Sequence, residues 1–151
     1  MANSQAICTS AKVEFLNGIH ALGTTVTRGA TTKDTLKAAL FFASASLGAG
    51  TTAYSTTGEV TGTGYTAGGA TVTNANAPAS SGTTAYWTPS ASLSWGGLTI
   101  STAFDAVLIY NSTQGDKAIG VFTFGSQTIT AGTLTISMPT NDASNALVRL
   151  A

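Results

Sequence analysis

Residues 103–110 read Ala-Phe-Asp-Ala-Val-Leu-Ile-Tyr, residues 111–116 read Asn-Ser-Thr-Gln-Gly-Asp, and residues 117–124 read Lys-Ala-Ile-Gly-Val-Phe-Thr-Phe. Two apolar runs rich in Val, Ile and aromatics flank a polar break, the pattern of two strands joined by a turn. A second pair of runs, 127–130 and 133–138, is separated by Ala131 and Gly132, so that 103–138 reads as a β-meander. Leu108, Ile109, Val121 and Phe122 are its expected core.

Working outward, residues 35–43 fit an alternating strand or a helical stripe, and their Thr-rich and Gly-rich flanks favour the strand. Shorter strands are expected at 24–28, 70–73, 84–87, 91–95, 98–101 and 146–151, with 77–82 as a loop. That makes roughly eight to ten strands, within the range of a two-sheet sandwich or small barrel. At the N-terminus, Ser10 is placed to cap a short helix bearing Val13, Leu16, Ile19 and Leu22 and ending at Gly23; an extended arm is the alternative. The expected fold is all-β: a single-domain antiparallel β-sandwich or jelly-roll-like barrel over 31–151, preceded by a short helix or docking arm over 1–30.

Composition narrows the function. Charged residues are 8% of the 151, six basic against six acidic, where about 25% is usual. Thr, Ala, Gly and Ser are the commonest residues, which suits strands and turns better than helices. With no basic stripe, nucleic-acid binding is not expected. A neutral surface gives little repulsion between copies and favours assembly. Cys8 is the sole cysteine, so no internal disulfide can form. Residues 1–5 show no signal-peptide pattern, and the longest wholly apolar run, 38–43, is far short of the ~20 residues of a membrane helix. Synthesis in a reducing cytoplasm, away from membranes, is the simplest expectation.

Candidate chemistry is sparse. His20 is the only base of its kind for Cys8, and neither sits in a local signature. Glu14, Glu59 and Asp105 are acids in or beside structured segments, with nothing to select a catalytic pair. One Cys and one His do not make a zinc site. Gly62, Gly64 and Gly68 have spacing one residue too long for a dinucleotide fingerprint, and they read better as turn and close-packing residues. Tyr86, Trp87, Trp95 and Tyr110 read as interface or core anchors, with a sugar-binding platform as the alternative. No enzyme activity, cofactor or metal is expected. Phe15, Leu16, Ile19, Tyr86, Trp87 and Trp95 are the candidate interface residues.

Four blocks carry a resemblance. Residues 59–69 (Glu-Val-Thr-Gly-Thr-Gly-Tyr-Thr-Ala-Gly-Gly), 106–111 (Ala-Val-Leu-Ile-Tyr-Asn), 117–125 (Lys-Ala-Ile-Gly-Val-Phe-Thr-Phe-Gly) and 146–150 (Ala-Leu-Val-Arg-Leu) resemble, in order and spacing, a family of small virion proteins of tailed bacteriophages. The resemblance runs from about Lys33 onward and includes no catalytic motif. It implies a head decoration or cement protein, with the major capsid protein and further copies of itself, in a trimer, as partners. The implied location is the phage head, assembled in the bacterial cytoplasm. A tail- or fibre-associated protein and a carbohydrate-binding module on the particle surface are the alternatives.

Overall fold

The computed structural model describes residues 3–8, 10, 11, 15, 18–24, 33–82 and 84–150. Among them are eight strands: β1 (Ala6–Ile7), β2 (Leu36–Phe42), β3 (Ala70–Thr71), β4 (Ala79–Ser81), β5 (Thr84–Trp87), β6 (Leu93–Asn111), β7 (Lys117–Ile136) and β8 (Val148–Leu150). They form two antiparallel sheets, ordered β1-β7-β6-β2-β3 and β4-β5-β8. The fold is all-β and sandwich-like.

The centre is one long hairpin, not a meander. Its turn lies where the sequence places it: Asn111 caps a single 3₁₀ turn at Ser112–Gln114, and Gly115 and Asp116 reverse the chain with φ of 66° and 60°. The second expected hairpin does not form. Ala131 has φ 46°, yet β7 runs through it and pairs with β6 along its whole length, Leu98 lying opposite Gly132. Primed hairpin turns and G1-type bulges both take a residue of positive φ, so the local signal is the same for either. The separate strands expected at 91–95 and 98–101 likewise merge into β6, across a bulge at Gly96 and Gly97.

The irregularities compensate one another. From Trp95 to Leu98 β6 advances three residues while β7 retreats two, from Leu134 to Gly132; from Leu98 to Ile100 β6 advances two while β7 retreats three, to Ile129. Thr99 Oγ1 accepts the Ala131 amide at 3.0 Å and so satisfies a donor freed by the bulge. Such bulges sharpen twist and bend a ribbon. The bend turns Leu93, Trp95, Leu98, Ile100 and Leu134 into the same core as Val107, Ile109, Leu36 and Leu40. Residues Phe124 and Gln127 share a groove with Leu134 and Ile136.

The turn-proximal half of the main sheet is buried on both faces. Leu36, Leu40, Phe104, Val107 and Ile109 face the smaller sheet, which contributes Trp87 and Val148. Ala39, Phe41, Ala106, Leu108, Tyr110 and Val121 face the other way, under Cys8, Ala11 and Ala45. This accounts for the strand at 36–42 being apolar at successive positions. Of the expected core, Leu108, Ile109 and Val121 are fully buried and Phe122 is half-buried.

The N-terminal expectation holds in part. Ser10, Ala11 and Phe15 are helical, while Val13 and Leu16 lie outside the described residues. The Gly18 amide bonds the Phe15 carbonyl at 3.1 Å with φ 67° at Gly18, so the helix stops there and not at Gly23. Ile19 and Leu22 follow outside any helix or strand. Of the strand expected at 24–28, residues 25–28 lie outside the described residues, and Thr24 is in a bend. Residues 79–81, expected as loop, form β4.

Leu108→Ala is expected to destabilise the domain by about 3 kcal/mol, because the site is enclosed on all sides and cannot collapse. Denaturant unfolding measures this.

Candidate functional site

Among the described residues, three polar assemblies and one long bare edge of the main sheet stand out. The first is built on the Gly-rich tract. β2 pairs with β3 only at Lys37 and Ala38, which leaves its outer edge open from Ala39 onward. The tract closes it: the Phe42 amide bonds Gly58 O at 3.0 Å, and the Val60 amide bonds Leu40 O at 2.9 Å. The Leu40 amide is satisfied by the Tyr65 hydroxyl at 2.9 Å. Gly69 lies against the Ala38 carbonyl so closely that any Cβ would overlap it, and its φ is 70°. Further along, the Thr99 amide bonds Thr63 O at 2.9 Å, so the same tract covers β6 beyond the end of β2. These glycines serve close packing of backbone on backbone.

Glu59 fastens the tract. It is 5% exposed, and its carboxylate accepts Tyr54 Oη at 2.6 Å, Tyr65 Oη at 2.8 Å and the Gly68 amide at 2.7 Å. Tyr110 stacks on Tyr54 with ring centres 4.6 Å apart and donates its hydroxyl to Gly68 O at 2.8 Å. Burial, then the Glu59 carboxylate beside them, pushes the Tyr54 and Tyr65 phenols above the ordinary tyrosine range. Burial pushes Tyr110 up to about 12. A buried carboxylate held by three donors is a structural hub.

The second assembly joins the N-terminal segment to the hairpin turn. Asp34, 4% exposed, accepts the Ala21 amide at 3.0 Å and Asn111 Nδ2 at 2.7 Å through Oδ2, and Gln114 Nε2 at 3.1 Å through Oδ1. Asn111 Nδ2 also lies 3.0 Å from His20 Nδ1. The third is Asn3, which donates to Asp105 Oδ1 at 2.6 Å and to Phe42 O at 3.1 Å and accepts the Leu47 amide at 3.0 Å. Asp105 thus anchors the N-terminal segment at a bulge in β6.

The described catalytic candidates Cys8, Glu59 and Asp105 are engaged in structural contacts. Cys8 is fully buried, with its thiol 3.8 Å from Gly48 O, where substrate has no access. Glu14 lies outside the described residues; Glu59 and Asp105 are engaged as above. Among the described residues there is no group of three metal-ligating side chains, and no helix is long and apolar enough to cross a membrane.

The interface candidates divide. Trp87 and Trp95 are 2% and 7% exposed, in the chain's own core, and Trp87 Nε1 is held by Asn74 Oδ1 at 3.2 Å. A core position satisfies a large ring as readily as an interface does, and sequence cannot separate the two. Phe15, Ile19 and Tyr86 are half-buried, and Leu16 lies outside the described residues. Phe15 and Tyr86 line an apolar cavity of about 160 Å³ with His20, Leu22, Trp87 and Leu150.

The bare edge was not legible in sequence. On the outer side of β7, Ala6 and Ile7 pair with Val121 and Gly120, and the Ala118 amide bonds Thr52 O. Beyond Phe122 no described strand pairs with it, and 125–128, 130 and 131 are exposed. No Asp, Glu, Lys or Arg occurs from Ala118 to Asn141. Comparison with protein-family models, curated proteins and solved structures returns no match.

Two expectations follow from the Glu59 hub. Tyr65→Phe leaves the Leu40 amide and one carboxylate lone pair without partners, at a cost of about 1–3 kcal/mol in unfolding free energy. Because the folded phenols keep their protons past the point at which unfolded ones release them, their contribution is complete below about pH 10 and shrinks as pH rises further. Urea unfolding across that range reads the loss, and Tyr65→Phe makes it shallower.

Proposed function

We propose that this chain is a structural virion protein of a tailed bacteriophage, a decoration or cement protein that bridges capsid subunits on the head. The observation that carries this reading is the outer edge of β7: a long, exposed, charge-free strand edge beside the groove of Phe124, Leu134 and Ile136. Soluble proteins ordinarily guard such edges with Lys, Pro or covering loops, since an open row of amides and carbonyls templates strand addition. Within the main sheet, the edges nearer the turn are covered, by β1, residues 52–54 and the Gly-rich tract. An edge left open amid so much cover is suited to a partner strand.

The charge-poor surface and the engagement of Glu59, Asp105 and Cys8 in structural contacts support an assembly role over an enzymatic one. The burial of Trp87, Trp95 and Tyr110 weighs against a stacked sugar platform. The partners in this reading are the major capsid protein and further copies of this chain, as a trimer about a local threefold axis. A cement protein binds only the correctly formed lattice, and so stabilises the shell by mass action.

The test is placement in the particle. Electron microscopy of the virion is expected to show this chain at full icosahedral occupancy; a few copies at the tail would refute the head assignment. Thr128→Lys with Thr130→Lys, both on exposed positions of β7, is expected to weaken binding to undecorated heads by about tenfold or more, equal to about 1.4 kcal/mol, without lowering Tm.

A further inference from the structure

Two irregularities fence off one short run of the bare β7 edge. From Phe104 to Ala106 β6 advances two residues while β7 retreats four, from Gln127 to Thr123, so β7 is bulged between those two positions. At the other end Ala131 has φ 46°, beside Gly132. Bulges break the regular spacing of edge amides and carbonyls, which leaves 127–130 as the run a partner strand can pair with. Along it Gln127 lies opposite Phe104 and Ile129 opposite Ile100, two residues of the main core, so both side chains are on the core side of the ribbon. Thr128 and Thr130 alternate with them and are exposed.

We propose that the outer edge of β7 pairs with the same edge of a second copy of this chain, antiparallel, about a twofold axis at Thr128. This rests on the reading of that edge as the surface the virion protein uses, and names its occupant. Charge separates a second copy from a foreign strand. About a twofold axis each residue lies opposite or near its own copy, so any charge on the edge would meet its like. None occurs from Ala118 to Asn141, although Asp116, Lys117 and Asp142 stand immediately outside. A strand from another protein is ordinarily selected and held in register by complementary charge, and this edge has none to offer.

The place of the axis follows from the run. The exposed positions 125–128, 130 and 131 centre on Thr128. Directly opposite residues of an antiparallel pair present their side chains on one face, so the two Thr128 hydroxyls meet across the axis, where Thr–Thr pairs hydrogen-bond. On the other face Gln127 meets the partner's Ile129, beside the groove of about 440 Å³ that Gln127 shares with Phe124, Leu134 and Ile136. The pairing merges two main sheets into one, β7 against β7. It also leaves the rest of the surface for a threefold axis and for capsid contacts. A run this short makes a weak pair in solution. Copies held on neighbouring capsid subunits have effective concentrations of about a millimolar, at which the edges close and so bridge those subunits.

Sedimentation equilibrium of the isolated full chain, up to about 1 mM, is expected to show a monomer–dimer equilibrium. Thr128→Glu and Thr128→Lys, at an exposed position, should each weaken dimerisation about tenfold or more with Tm unchanged. An equal mixture of the two should restore it, because only about a twofold axis does position 128 face itself. A monomer throughout, single variants that dimerise like the wild type, or a mixture that stays monomeric overturns self-pairing. Should either variant fail to fold, amide exchange at 127–130 in the wild type gives the answer: slowing of about tenfold or more from dilute to concentrated protein is expected, and equal rates overturn the proposal. The head assignment fails separately, by the chain's place in the virion. A chain that is monomeric, yet loses head binding in Thr128→Lys with Thr130→Lys, gives the edge to a capsid strand and overturns self-pairing alone.

Discussion

The unpaired backbone groups along the sides of the β6–β7 ribbon are the constraint on which the rest of the structure depends. A two-stranded ribbon has two open edges, and buried amides without partners cost more than most side-chain contacts return. Much of the remaining chain serves as cover. β2 and the Gly-rich tract seal one side, with the Tyr65 hydroxyl standing in where a backbone carbonyl is missing at Leu40. β1 and residues 52–54 seal part of the other. Glu59 holds the cover down, and its two tyrosines tie the tract to the sheet on both sides.

Burial on both faces follows from the same arrangement. Residues 36–42 and 104–111 can be apolar at successive positions because the smaller sheet lies over one face and the N-terminal segment over the other. Small side chains at Ala39, Ala106 and Ala118 let the loops approach that second face closely. Two of the few charged residues, Glu59 and Asp34, are buried hubs, and Asp105 pins Asn3. A chain with only twelve charged residues, none of them between 118 and 141, has both a neutral composition and an open neutral edge, and the assembly reading draws on both.

Several elements were readable locally. The strand at 36–42, the turn at 111–116 and the closing strand at 148–150 lie where alternation, Gly115 and β-branched residues put them. Others were not. Ala131 and Gly132 carry a turn signal, but the chain continues because β6 runs beside it and bonds through Thr99. Trp87 and Trp95 could anchor a partner or a core, and only the neighbours decide. Glu59 gave no sign of its importance, since its three donors lie five positions before it and six and nine after it, in a loop whose path sequence does not specify.

By itself the sequence determined an all-β chain with an apolar hairpin turning at 111–116 and few charges, because side-chain period and composition are local properties. Only the tertiary structure decided that this hairpin is nineteen and twenty residues to a side, bent upon itself by compensating bulges. It also decided which edges are covered and which is bare. Strand pairing is a relation between segments, set by which backbone groups find partners across the fold, and no window of sequence contains both members of the pair.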